Sequence, residues 1–368
     1  MLDILIRIVL FLLGVAIVGG TLLSAVHTFI LPRSANDQLT RTVFLTSRRF
    51  FNIALKKAGT YKRRDEIMAL YAPLTLLALP PAWLACVAIG YTLIFRATGI
   101  ESFHDAFLIS GASLLTFGAT LNAIPLAIIS FTEGAIGLIL VAVLISYLPT
   151  MYSAFSRREA AVNMLEVRAG APPSAVEMIV RYYRIRGIDH MNEIWESWEA
   201  WFAEIEETHT SLAALAFFRS PKADRSWITA AGAVLDAAAL YDSTLDMPRD
   251  PSTNLCVRAG FLALRAIADL FHIAYNAAPS KDDPISIARE EYDAAYDRLV
   301  AEGVPVKADR EAAWLNFKGW RVNYDTVLLA LCTLLMAPYA PWSSDRSLRP
   351  TRPLNRMRSS LISTLPNK

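Results

Sequence analysis

The chain has 368 residues, 54% hydrophobic and only 19% charged, with a mean hydropathy of +0.35 and a formal net charge of +2. A charged fraction below the roughly 25% of ordinary soluble domains excludes a protein solvated by water along its whole length. Cys86, Cys256 and Cys332 are odd in number, scattered and set among apolar residues, so neither a disulfide framework nor a cysteine metal site is expected.

Residues 8–31 form a run of 24 without a charge, bounded by Arg7 and Arg33. A membrane-spanning helix needs about 20 apolar residues, and the run is too long for the apolar core of a cleaved signal peptide. Residues 1–32 are therefore read as a first transmembrane helix. The connector that follows, 33–66, carries nine basic residues between Arg33 and Arg64 against one acid in that stretch, Asp37. Such an excess marks a cytoplasmic loop, which runs the first helix from outside to inside. Within it, 42–57 sets Val43, Phe44, Phe50, Phe51 and Ile53 between basic residues. An interfacial helix on anionic lipid and an ordinary amphipathic connector both fit.

Residues 67–95 are 29 uncharged residues, enough to cross with tilt and expected to kink at Pro80-Pro81. Two more uncharged runs follow, 106–132 and 134–156. If both cross, the polar remainder of the chain lies outside; if the first turns back, that remainder is cytoplasmic. The first run holds Ser110, Gly111, Ser113, Thr116, Gly118, Thr120, Asn122 and Pro125 within sixteen residues, poor material for a lipid-facing helix. The second exits into Arg157-Arg158, and the tail 343–368 has six basic residues against one acid. Both features belong on the inside, so the first run is expected to be re-entrant, with a short helix over 103–115. Uncharged irregular backbone at membrane depth must be buried in protein or line water, and the carboxyl end of such a helix favours a cation.

A capped short helix, then Thr116, Phe117, Gly118, Ala119 and Thr120, then Pro125 and a long apolar helix is an order that resembles the pore module of the potassium-channel superfamily, in particular the bacterial channels with two helices around one pore loop. The resemblance covers about 71–159. Thr116 and Gly118 match the threonine and first glycine of that family's filter, and Phe117 stands in place of valine. Ala119, Thr120 and Leu121 replace its tyrosine, second glycine and aspartate. The resemblance implies a tetramer around a shared axis, a filter at 116–120, a permeant monovalent cation (K⁺ or Na⁺) and no other cofactor. It also implies gating flexibility at Gly137 and Pro149, and an inner helix opened by Glu133-Gly134. A threonine at the second glycine position resists positive φ, which widens the expected selectivity. Two readings of Glu133 stand: a charge at the outer mouth, or the mark of a helix start at the interface.

From residue 154 onward helical signals dominate. The inner helix is expected to continue over 153–169 and break at Gly170 to Pro173, followed by helices at 174–186, 190–209, 226–245, 256–276, 284–301 and 309–335. In 190–209, Trp195, Trp198, Phe202 and Ile205 share one face, read as core. Glu193, Glu196, Glu199, Glu204, Glu206 and Glu207 are read as a solvated face, or one paired with Arg181, Arg184 and Arg186, ahead of a cation site. Residues 326–337 are apolar but too short to span. No phosphate loop, dinucleotide fingerprint or catalytic constellation occurs, so an enzyme is not expected. Nor is nucleic acid, because the basic clusters lie beside apolar spans.

The expectation is thus an all-α membrane protein with three transmembrane helices and one re-entrant pore loop, followed by a soluble all-α cytoplasmic domain. Its parts are 1–32, 33–66, a pore module at 67–156, a helical domain at 157–342 and a basic disordered tail at 343–368. It would be a tetrameric cation channel of a bacterial inner membrane with its N-terminus outside. The alternative is a non-conducting membrane-anchored scaffold or sensor with a vestigial pore.

Overall fold

The computed structural model describes residues 2–29, 37–56, 58–115 and 123–346. All regular structure among them is helical, the single exception being an isolated bridge between Leu245 and Val306. Thirteen α-helices are described: α1 Leu2–Phe29, α2 Gln38–Lys56, α3 Tyr61–Ala69, α4 Tyr71–Ala97, α5 Phe103–Leu114, α6 Ile124–Ala169, α7 Ala175–Ile185, α8 Asn192–Ser211, α9 Trp227–Thr244, α10 Pro251–Leu270, α11 Arg289–Ala301, α12 Arg310–Arg321 and α13 Asp325–Leu335. Three helical stretches are long and apolar enough to cross a membrane: Leu2–Thr28, Tyr61–Ala97 and Ile124–Ala169.

The chain divides into two compact units. The first comprises Met1–Arg157 together with Glu207–Arg219; the second comprises Arg158–Glu206 and Ser220–Lys368. The first is built on α1 and α4, which at Gly14 and Gly90 approach so closely that no side chain fits between their backbones. A Cβ on Gly14 would stand 2.5 Å from the Gly90 carbonyl oxygen, and one on Gly90 would stand 2.6 Å from Val18. Trp83 Nε1 donates to Ser24 Oγ at 3.1 Å, which in turn donates to Asp37 at the start of α2. α4 runs through Pro80-Pro81 as one continuous helix.

The long apolar helix begins ten residues earlier than expected. Pro125 is the second residue of α6, where its missing N–H costs no hydrogen bond, so Glu133-Gly134 lies more than two turns inside the helix rather than opening it. α6 then runs unbroken past Pro149 to Ala169, as the sequence indicates for its far end.

A stretch of the polar sequence also belongs to the first unit. Residues 207–219, from the end of α8 and the 3₁₀ turn Ala213–Phe217, pack Ala214 and Leu215 into the same core as α1, α4 and α6. Phe217 meets Tyr71 edge-on at 5.7 Å, Phe218 lies 5.9 Å from Phe155, and Arg219 pairs with Asp65. The sequence reading assigned this stretch to the soluble domain. Its run Leu212-Ala-Ala-Leu-Ala-Phe-Phe218 is apolar throughout and needs a core, but its local pattern does not say which one.

The second unit is centred on α9, seventeen of whose eighteen residues are buried. Trp195, Trp198, Phe202 and Ile205 of α8 are core, as expected, and so is Trp201, which the one-face reading missed. The expected helix over 309–335 is two helices. The chain breaks at Val322 to Tyr324 because Asn323 turns its amide back onto the Gly319 and Trp320 carbonyls, in competition with the helix. Arg265 then captures the freed Asn323 carbonyl at 2.8 Å. α10 starts at Pro251, capped by Asp250, five residues before the expected start. The tail is anchored as far as Arg346, which bonds Glu291 and Asp345; the rest of the expected disordered tail lies outside the described residues.

Candidate functional site

The densest group of buried polar side chains in the apolar unit lies where α5 meets α4 and α6. α5 is capped by Ser102, whose Oγ accepts from the His104 and Asp105 amides, as a Ser-x-x-Asp opening predicts. Its N-terminal end lies by the end of α4, with the Arg96 guanidinium 5.5 Å over the Phe103 ring. Seven residues on, Ser110 Oγ donates to the Ala88 carbonyl at 3.1 Å and reaches Glu133 Oε1 at 2.5 Å. α5 therefore runs antiparallel to α4.

Against α6 the backbone approaches advance along both helices together, from Ser113 beside Gly134 to Leu114 beside Gly137, while the Ser113 hydroxyl reaches back one turn to Ser130. Ser110 meets Glu133, a Cβ on Gly134 would lie 3.1 Å from the Ser113 carbonyl, and one on Gly137 would lie 2.9 Å from the Leu114 carbonyl. Ser113 and Ser130 share a hydroxyl hydrogen bond of 2.5 Å. Tyr91 and Thr132 share another of 3.0 Å, tying α4 to the same level. α5 and α6 thus run side by side in one direction, both opposed to α4.

Each sequence-derived site residue can now be placed. Gly137 packs against the end of α5, which its missing side chain admits. Pro149 lies within α6. Glu133 is completely buried and bonded to Ser110, so it is not an exposed charge at a mouth. Thr116, Phe117, Gly118, Ala119 and Thr120 lie outside the described residues. Ser110, Ser113 and Ser130 entered the sequence reading, if at all, only as poor material for a lipid-facing helix. Their i, i+3 spacing on α5, and that of Ser130 and Glu133 on α6, was the available signal.

In the polar unit the expected pairing of the α8 carboxylates with Arg181, Arg184 and Arg186 is seen at Arg186–Glu193, 3.3 Å. Arg181 bonds Glu177 and Arg184 bonds Glu302. Hydrogen bonding from Arg181, with Arg298 adding to it, holds the Glu177 carboxyl below the usual carboxylate range. Among the described residues no group of His, Cys, Asp and Glu is arranged to hold a metal ion. Burial pushes the Cys256 thiol up, and the Cys332 thiol up to about 12, so both are protonated core side chains rather than nucleophiles. Arg321 is fully buried between Asp236 and Asp325, at 2.5 and 2.7 Å. Burial alone would lower its pKa, but the two carboxylates outweigh that and raise it, fixing a permanent cation in the core.

No protein-family model matches the chain, and no curated protein or solved structure matches it.

Proposed function

We infer that the chain is one subunit of an oligomeric cation channel, whose pore is formed by α5, the segment joining it to α6, and α6 itself. The observation that carries this reading is the direction of α5. It descends beside α4 from Phe103 and ends at Leu114 against Gly137, whereas α6 begins at Ile124, thirteen residues or about 20 Å earlier along its axis. A joining segment that leaves Leu114 and enters Ile124 returns toward the side α5 came from, which is the path of a re-entrant loop. At twelve residues, or about 18 Å, α5 is also too short to cross.

The ends of the helices support the same reading. Tyr71 at the start of α4 is ringed by Phe44, Phe51 and Phe217, with Arg48 5.2 Å over its face. Phe155 of α6 reaches Phe218 next in sequence. The basic connector, the beginning of α4 and the far part of α6 therefore share one end of the first unit. By the positive-inside rule that end is cytoplasmic, the N-terminus is outside and the polar unit follows on the inside. α2 leaves Leu45, Phe50 and Ile53 exposed among its basic residues, which suits it to lie on anionic headgroups.

One loop cannot surround an ion, so the reading requires symmetry mates, four by the resemblance to potassium channels. Carbonyls following Thr116 would replace the hydration of K⁺ or Na⁺, with Ala119 and Thr120 relaxing selectivity. The same two departures favour the second reading, a membrane-anchored scaffold with a closed pore. Reconstitution into liposomes decides between them. A channel gives cation flux that changes selectivity in Thr120→Gly, and a scaffold gives none in either protein.

A further inference from the structure

We propose that Glu133, with Ser110, Ser113 and Ser130, is a proton-binding site that latches α5 to α6. Glu133 is wholly enclosed and its Oε2 has no hydrogen-bond partner. An ionisable group at membrane depth is costly and by default marks a functional site, and a bare oxygen on an ionised carboxylate makes that cost greater.

No counter-charge from the surrounding helices meets it. α4 brings Cys86, Tyr91 and Arg96. Tyr91 is engaged with Thr132, and Arg96 Nη1 donates to the Ile100 carbonyl at 3.2 Å. α5 carries only His104 and Asp105, six and five residues before Ser110. α1 has no titratable side chain between Arg7 and His27. On α6 the next formal charge is Arg157, more than six turns away.

The hydrogen-bond inventory identifies the ligand. Ser110 has one hydroxyl hydrogen and two acceptors in reach, Glu133 Oε1 and the Ala88 carbonyl. If Ser110 donates to Glu133, a lone carboxylate with one bond sits in an apolar core. If Glu133 carries a proton and donates it to Ser110, Ser110 turns its own hydrogen to Ala88, whose carbonyl also takes the Thr92 hydroxyl at 2.7 Å. Oε2 is then a neutral carbonyl oxygen, far cheaper to leave bare. Ser130 donates to Ser113, which passes its hydrogen to the Ile109 carbonyl at 2.8 Å. Among the described residues no second carboxylate, His or Cys is grouped with Glu133 to hold a metal ion, so the neutralising species in this proposal is a proton. Losing it puts an unpaired charge between α5 and α6 and releases the latch. The site does not depend on conduction; if the pore reading also holds, external pH acts on the helix that precedes the filter.

The test is infrared difference spectroscopy of the full-length protein in lipid nanodiscs, wild type minus Glu133→Gln, in H₂O and D₂O. A protonated-carboxyl stretch at neutral pH that is absent from Glu133→Gln, and that vanishes as pH rises, is the expected result. Spectra that superimpose in that region show an ionised Glu133 and overturn the proposal. If Glu133→Gln does not fold, Ser110→Ala serves, since it keeps the carboxyl and shifts the stretch by removing its partner; an unshifted band overturns it equally. Hydrogen exchange reads the latch. α5 amides are expected to open about tenfold more readily on alkalinisation in wild type, after correction for intrinsic exchange, the equivalent of one hydrogen bond of about 1.4 kcal/mol. They should not do so in Glu133→Gln. Equal opening in both proteins removes the latch even if the proton is present.

Discussion

One buried ionisable group in each unit, Arg321 in the second and Glu133 in the first, is held in an opposite way. In the second, Arg321 has a partner for each of its reaches: Asp236, Asp325 and the Trp342 carbonyl, with Tyr324 and Ser286 completing the shells of the two acids. In the first, Glu133 has one hydroxyl neighbour and no counter-charge. A fully paired network fixes one arrangement and has nothing left to respond with, whereas a lone acid is a group whose state can change. On the proton-latch proposal, the contrast separates a fully paired core from a junction that can switch.

The largest effect expected from disturbing this contrast is in the paired network. Arg321→Met leaves Asp236 and Asp325 buried without their cation, and breaking such a network costs about 3–5 kcal/mol. Thermal unfolding should show loss of the polar unit's cooperative transition. Adding Asp236→Leu and Asp325→Leu should restore part of it, because packed apolar groups replace buried ions well. If Arg321→Met alone is neutral, the network is not what orders that core.

Next in size is the clasp within the first unit. Arg219→Ala leaves Asp65, whose side chain is 10% exposed, without its charged partner, at about 1.5–3 kcal/mol. The expected readout is faster proteolysis within 207–219, with unchanged cutting of the polar unit. A matching loss in Asp65→Ala, non-additive in the double variant, would confirm the pair.

A smaller difference distinguishes how the units pack their glycines. Gly14→Ala drives a methyl into the Gly90 backbone, which cannot move without the helix, at about 1–3 kcal/mol. Gly260→Ala meets side chains, the end of Leu235 at 2.5 Å and the Phe202 ring at 2.9 Å, and alanine's helix preference returns up to about 1 kcal/mol. Thermal shifts of the two variants should therefore differ, the first being larger.

The smallest expected effect is electrostatic. The pKa of Glu177 is depressed in the folded state, so its contribution is present above the unfolded value of about 4.3 and is lost as pH falls through the lower folded value. The group is partly exposed, which limits it to a surface ion pair's few tenths of a kcal/mol. Glu177→Gln should flatten the acid limb of the polar unit's stability curve slightly and leave stability at neutral pH nearly unchanged.

Much of this architecture is written in local pattern. The short helix is read from Ser102 and the apolar run after it and appears at Phe103–Leu114, because a cap and its helix lie within a few residues of each other. The core face of α8 and the break at Gly170, with φ of +84°, are legible for the same reason. The start of α6 is not: Glu133 looked like a polar boundary, and only its bond to Ser110, 23 residues away, explains how a carboxyl sits inside an apolar helix. The split between α12 and α13 is hidden in part: Asn323 turning back on Gly319 and Trp320 is a local event, but the carbonyl it frees is taken by Arg265, 58 residues away in sequence.

What the sequence determined by itself is that three helices are long and apolar enough to cross a membrane and that the remainder is helical and polar, because span length and periodicity are properties of one segment. The tertiary structure alone decided that α5 runs with α6 and against α4, that residues 207–219 join the apolar unit, and that Glu133 is buried against the Ser110 hydroxyl rather than open to solvent. Each of these is a choice of partner. An apolar face or a carboxyl states what surroundings it needs, but many surfaces could supply them, and only the packed chain selects one.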